Sequence, residues 1–400
     1  GFSVLMAELV IGRSTQRNPV GALSRLKKSS WWPVIGYMGI LTAFVILSFY
    51  IVVAGWTLAY IGKSLTGLLS IDAAAIGTTF GTFISNPFEP IAYAGLFIAL
   101  VVLVVIGGVN EGVERCSRYL MPALLVLVIV LCVRSLTLDG SAAGWEFLTQ
   151  PRWEDVTFKT VIEAMGQAFF SLSLGMGTII TYGSYMDRKT DIVEAGITVV
   201  ALDTLIAVLA GVMILPAVFA FHLDPAAGPG LTFVTLPHVF AQMAGGVFFA
   251  PLFFLLLAIA ALTSAVSLLE VVTSYFVDEI GMGRRKVTIL AGIVAFVLCI
   301  PSSLSLGVWK DYTLFGKGFL DLMDFVASNV MLPVGGLALS IFVGWVVPKQ
   351  MSLEFTDGHP KYAFLAKVWL FCLRYICPVC IFVVLLNGLP FIAKYLPWNV

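Results

Sequence analysis

The stretch Ser171–Gly177, reading Ser-Leu-Ser-Leu-Gly-Met-Gly, interrupts an apolar run long enough to cross a bilayer, about residues 160–182. Two glycines and two hydroxyls weaken a helix there, where an unpaired backbone amide or carbonyl costs several kcal/mol. Such an interruption persists only where it faces protein, water or a ligand. A helix broken at mid-membrane predicts a binding site whose half-helix ends offer backbone groups to a small charged solute.

The remaining chain agrees with a bilayer as solvent. Hydrophobic residues make up 60% and charged residues 12% of the sequence, and mean hydropathy is +1.00. These values exclude an ordinary soluble domain. Ten spanning segments are predicted, at roughly 1–22, 32–62, 91–109, 117–138, 160–185, 191–221, 247–277, 286–304, 321–346 and 363–395, each near the ~20 residues a crossing needs. Of the 23 Lys and Arg, sixteen fall on one side, in the loops holding Arg13–Lys28, Arg115/Arg118, Arg188/Lys189, Arg284–Lys286 and Lys349–Arg374. The positive-inside bias places that side in the cytoplasm. The expected location is the inner (plasma) membrane, with the C-terminus outside. Gly1-Phe2-Ser3-Val4 enters apolar sequence with no initiator Met and no signal pattern, so a preceding segment is expected.

No linker divides the chain, and residues 1–400 are read as one transmembrane domain. Three loops, 63–90, 139–159 and 222–246, lie on the less basic side. The last is apolar and rich in Gly and Pro, and reads either as a lid-like helical hairpin or as a compact surface loop. The six cysteines are scattered through or near the spans. Cys377-Pro378-Val379-Cys380 lacks the further ligands a metal or redox site needs, and is read as small apolar helix residues.

Phe169-Phe170-Ser171-Leu172-Ser173-Leu174-Gly175-Met176-Gly177, with Gln167 before it and Ile179–Tyr185 after it, resembles the broken sixth helix of the neurotransmitter:sodium symporter family. Met6–Arg13, Gly112–Arg115, Leu262–Ala265 and Asp321–Phe325 match further family motifs in order. The resemblance implies an all-α polytopic membrane protein with the LeuT-type inverted-repeat fold. It also implies that the first helix and part of the second precede residue 1. The visible chain would then hold about ten transmembrane helices.

The implied activity is sodium-coupled symport of an amino acid by alternating access. The resemblance assigns two Na⁺ sites, each incomplete without the first helix. Ser171 and Asp203 fall on one. Independently, Asp203 is the only ionisable residue in an apolar run, 196–221, and so a functional candidate. Where many relatives carry an amide and use chloride, its carboxylate could supply the negative charge, so transport is expected to be chloride-independent. Ala260, Thr263 and Ser264 fall on the other site. Hard cations prefer such oxygens, although hydroxyls in helices also bond back to the preceding turn.

For the substrate, the family positions are Tyr50, Phe170, Ser171, Ser173, Gly175, Met176, Ser267 and Leu268. Tyr50 would meet the carboxylate, the carbonyls near Ser173 and Gly175 the ammonium, and Met176, Ser267 and Leu268 the side chain. An adaptable apolar pocket favours a hydrophobic or aromatic amino acid. Asp324, with Asp321 one turn earlier, matches the outer gate. Asp278 matches an inner-gate acid, and Tyr185 would support that inner closure; a solvated helix end is the other reading of Asp278. Glu8 would accept from amides freed at the break, and Gln167 is read as structural. Gly112 and Pro122, with nine residues between them, read as a local unwinding point or an ordinary proline kink.

Other classes are an amino-acid-binding membrane sensor, a non-transporting fragment, an enzyme and a channel. No signalling domain, metal cluster, nucleophile elbow or phosphate loop supports a sensor or an enzyme. No nucleic-acid partner is implied, the lipid bilayer is the expected surrounding, and the oligomeric state is open.

Overall fold

A computed structural model describes residues 1–28, 30–70, 73–223 and 230–396. The described backbone is almost wholly helical, with one isolated bridge, Leu314 to Lys317. Helices follow from the solvent: in hydrocarbon each amide must bond within its own segment.

The chain opens with α1 (Phe2–Thr15), which stops where Gln16 turns left-handed at φ 53°. Asn18 then caps α2 (Pro19–Leu26), accepting from the amides of Val20 and Gly21. The predicted span 1–22 is thus a shorter helix and a separate basic-side helix. Next come α3 (Pro33–Leu65), α4 (Ala73–Ser85), α5 (Glu89–Ile106), α6 (Arg115–Leu136) and α7 (Ala142–Thr149). So helices occupy the predicted loops 63–90 and 139–159. A π-helical turn, Val109–Glu114, joins α5 to α6.

The predicted span 160–185 is two helices, α8 (Phe158–Ser171) and α9 (Thr178–Tyr185). Then follow α10 (Ile192–Ala220), α11 (Leu236–Gln242), α12 (Gly246–Asp278) and α13 (Arg284–Leu304). In the apolar loop 222–246, residues 224–229 lie outside the described residues, and Leu231 to Gln242 is one continuous helical stretch. The last elements are α14 (Phe319–Phe325), α15 (Leu332–Ile341), α16 (Pro348–Thr356), α17 (Ala363–Phe371) and α18 (Cys377–Gly388). Three π-helical turns, Val326–Met331, Phe342–Val346 and Cys372–Ile376, interrupt or end these helical runs.

Among the described residues, eight helices are long and apolar enough to cross a membrane. The two predicted segments outside that set are 1–22 and 160–185, for the reasons just given. At 33 residues, α3 measures about 50 Å at 1.5 Å per residue, well over the ~30 Å hydrocarbon core. It therefore tilts or protrudes.

Two apolar cores hold the bundle. One packs α3 against α5, α12 and α13, and includes Trp56, Phe97 and Phe254. The other joins α1, α9, α15, α16 and α17 around Leu5, Phe342, Phe355 and Trp369. Backbones touch closely where α1 crosses α9: a Cβ on Gly12 would lie 2.8 Å from the Ser184 amide nitrogen. That approach presses the second half of the broken helix onto a buried neighbour.

Candidate functional site

The first half-helix ends at Ser171. The chain then passes through left-handed backbone at Ser173 (φ 54°), Gly175 (φ 81°) and Gly177 (φ 76°) before α9 begins. A non-glycine residue in that region costs about 1–2 kcal/mol, so Ser173 stores strain that its surroundings hold in place. Glu8, fully buried on α1, accepts from the Gly175 amide at 2.7 Å through Oε1. Its Oε2 is buried and has no protein partner among the described residues. On the other side, the break rests against α15, with Gly175 facing the Leu332 carbonyl and Gly336.

A cavity of about 790 Å³ opens beside the break. Tyr50, Phe170, Ser171, Ser173, Met176, Ser267 and Leu268 all line it, from α3, the broken helix and α12. Gly175 does not; it is turned toward α15. Ser171 donates to Asp203 Oδ1 at 2.7 Å, linking the end of α8 to a carboxylate on α10. Thr263 and Ser264 line the same cavity, and the Thr263 hydroxyl bonds back to the Ala260 carbonyl at 2.8 Å. Ser171 thus borders the cavity from the broken helix, and Thr263 and Ser264 border it from α12, whereas Asp203 and Ala260 are not among its lining residues; hydroxyl and carboxylate oxygens are ligands that a hard cation prefers.

Gln167 and Phe170 line this cavity and also a second one of about 450 Å³, which Asp324 borders. The pair thus forms the partition between them. Asp324 accepts from Ser328 at 2.8 Å, and Asp321 is exposed on the same helix. Gly112 lies in the π-helical turn before α6 and Pro122 inside α6; Val109 and Val113 of that turn reach the cavity.

At the basic end the structure adds a pairing that the sequence reading did not name. Tyr185 donates to Glu270 Oε1 at 2.6 Å. Glu270 is fully buried; its other oxygen pairs with Arg284, whose Nε also donates to the Val105 carbonyl at 2.9 Å. Asp278 faces Asn18 at 3.4 Å, and the same amide donates to Glu279 at 3.0 Å. Sequence reasoning missed Glu270. It also left Tyr182 without a role, although Tyr182 lines the cavity and is bonded to Ser267 at 2.6 Å. The rule that marked Asp203, an acid inside an apolar span, would have found Glu270 as well.

Comparison with known proteins bears on the fold and the family. The Sodium:neurotransmitter symporter family profile matches residues 90–398. An uncharacterized sodium-dependent transporter of Bacillus subtilis (strain 168), YhdH, is 39% identical over 97% of this chain and 86% of its own length. A second uncharacterized sodium-dependent transporter, from Haemophilus influenzae, is 34% identical over 97% of this chain and 87% of its own. The crystal structure of MhsT in complex with L-phenylalanine superposes with a TM-score of 0.89 at 42% identity, covering 97% of this chain and 88% of that one. These relatives are transporters and not enzymes, and the architecture is that of the LeuT fold. The likeness runs along nearly the whole chain, and the chain belongs to the sodium:neurotransmitter symporter family.

Proposed function

We propose that this chain, acting as one transporter domain, couples inward movement of Na⁺ to uptake of a hydrophobic or aromatic amino acid, without chloride. The observation that carries the chloride reading is the 2.7 Å bond from Ser171 to Asp203 Oδ1 at the end of the first half-helix. A fixed carboxylate there provides the negative charge that a bound anion would otherwise supply. Ser171 and Asp203 contribute to one Na⁺ site, and Ala260, Thr263 and Ser264 to the other, each offering oxygens to a hard cation.

The substrate occupies the space beside the break, with its ammonium toward the carbonyls near Ser173 and Gly175. Tyr50 meets its carboxylate. Met176 and Leu268 receive the side chain and Phe170 covers it from the outer side. The complex of MhsT with L-phenylalanine supports this class of substrate, as does the apolar, adaptable lining.

Alternating access follows from the two half-helices resting on different neighbours. On one side Gln167, Phe170, Asp324 and Asp321 form the outer gate. On the other, Tyr185, Glu270 and Arg284, with Asn18 and Asp278, form the inner one. Loosening of the turn at Gly112, ahead of Pro122, opens a water path toward Thr263 and Ser264. The stretch after Leu231 serves as an outer lid. The basic side faces the cytoplasm, in the plasma membrane, which leaves the C-terminus outside.

The test is uptake of labelled phenylalanine into proteoliposomes under an inward Na⁺ gradient, with chloride replaced by gluconate. Accumulation above equilibrium, unchanged by the replacement, is the expected result. Asp203→Asn should make uptake chloride-dependent. Loss of wild-type uptake without chloride would overturn the role given to Asp203, and equilibration without accumulation would overturn symport.

A further inference from the structure

On the basic side of the bundle, a groove of about 560 Å³ lies between α3, α12 and α13. Tyr37, Leu41 and Phe44 of α3, Phe276 of α12, and Leu290 and Val294 of α13 are among its lining residues. The groove is open rather than a buried core: Leu41 is 55% and Leu290 51% exposed. From Tyr37 to Phe44, and again from Val287 to Val294, the lining runs seven residues along a helix, about 10 Å at 1.5 Å per residue. One leaflet of hydrocarbon is about 15 Å deep, so the groove covers most of the depth that one acyl chain occupies.

Its mouth carries unneutralised positive charge. Lys286 lies one helical turn before Leu290 and directly before Val287, which places it at the basic end of the groove-lining face. Arg285 precedes it, and both are exposed. Neither makes a salt bridge among the described residues, and neither do Lys27 and Lys28 ahead of α3. The neighbouring groups are already engaged: Arg284 is turned inward to Glu270, and Glu279 is held by Arg17 and Asn18. Tyr37 and Tyr275, hydroxyl to hydroxyl at 3.4 Å, belong to both the lining and the polar mouth, the position aromatic hydroxyls favour at a membrane interface.

We propose that this groove binds one anionic phospholipid, with an acyl chain laid along Leu41, Phe44, Leu290 and Val294 and its phosphate held by Lys286 and Arg285. Clustered cations beside a span attract anionic headgroups, and the apolar trough below them sets where the chain goes. The proposal rests on the membrane-spanning fold and is independent of which solute is transported.

Native mass spectrometry of the detergent-purified protein, titrated with dioleoyl phosphatidylglycerol or dioleoyl phosphatidylcholine, tests it. The expected result is one phosphatidylglycerol retained per chain, at least tenfold more tightly than phosphatidylcholine. The double variant Arg285→Gln/Lys286→Gln should lower that affinity tenfold or more. Leu41→Trp and Leu290→Trp, at exposed positions that tolerate a larger side chain, should do the same by filling the trough while leaving the melting temperature of the delipidated protein unchanged. Three results would overturn the proposal: equal binding of the two lipids, affinity for phosphatidylglycerol untouched by the charge and groove variants, or a lipid-free protein dimer that Leu41→Trp dissociates.

Discussion

Gly175→Ala probes the break most directly. At φ 81° an alanine costs about 1–2 kcal/mol in backbone strain. Its Cβ would also be 3.0 Å from the Gly336 nitrogen and closer still to the Leu332 carbonyl. These are backbone atoms of α15 and cannot swing aside. Relieving the clash shifts the Gly175 amide away from Glu8, and an unpaired buried partner costs about 1–3 kcal/mol more. The total is about 2–5 kcal/mol. Gly281→Ala isolates the first part, because Gly281 has φ 74° with open space where a Cβ would go. Unfolding midpoints of both variants, converted to free energy by linear extrapolation, should differ by at least ~1 kcal/mol. Gly175→Ala should also lose Na⁺-dependent phenylalanine binding, and Gly281→Ala should keep it. Equal costs for the two variants, with binding intact in both, would refute the idea that the break is held by its contacts with α1 and α15.

Arg13→Ala should destabilise the protein by about 1–3 kcal/mol, the cost of leaving its part-buried acceptors without their donor. Arg13 is 1% exposed and binds Glu354 at 2.7 Å and the Thr190 carbonyl at 2.7 Å, so chemical unfolding in detergent should show the loss. Glu270→Gln removes the acceptor shared by Tyr185 and Arg284, and thiol labelling of Ser264→Cys from the basic side should become several-fold faster; an unchanged rate would remove Glu270 from the inner gate. Asp191, just ahead of α10, sets a pH dependence. Partial desolvation pushes its carboxyl up, but the Tyr362 hydroxyl, the amides of Glu194 and Val193 and the Lys361 ammonium together hold it below the usual carboxylate range. A lowered folded-state pKa stabilises at pH above the ordinary Asp value and loses that contribution as pH falls through the folded value. Wild type should therefore lose more stability than Asp191→Asn on acidification below about pH 4, and parallel melting curves would contradict this.

The spans and the interruption at Ser171–Gly177 are legible in the sequence because hydrocarbon leaves few options: apolar runs must be helical, and glycine and serine clustered within one mark where it stops. Asp203 is legible for the same reason, since a lone acid in an apolar run is costly without a purpose. Partnership is a different matter. That Tyr185 meets Glu270, that Asn18 faces Asp278, and that Gly175 turns toward α15 rather than the cavity all depend on which helix faces come together. Those faces are set by close backbone approaches such as Gly12 on Ser184, between residues far apart in the chain. The division of 1–22 into α1 and α2 likewise depends on the left-handed turn at Gln16, to which an average of hydropathy over a window is blind. Sequence by itself determined the solvent, the helical class and the broken segment, because these follow from transfer energies summed over single runs; tertiary structure decided which oxygens share one space, because that is a property of pairs of helices.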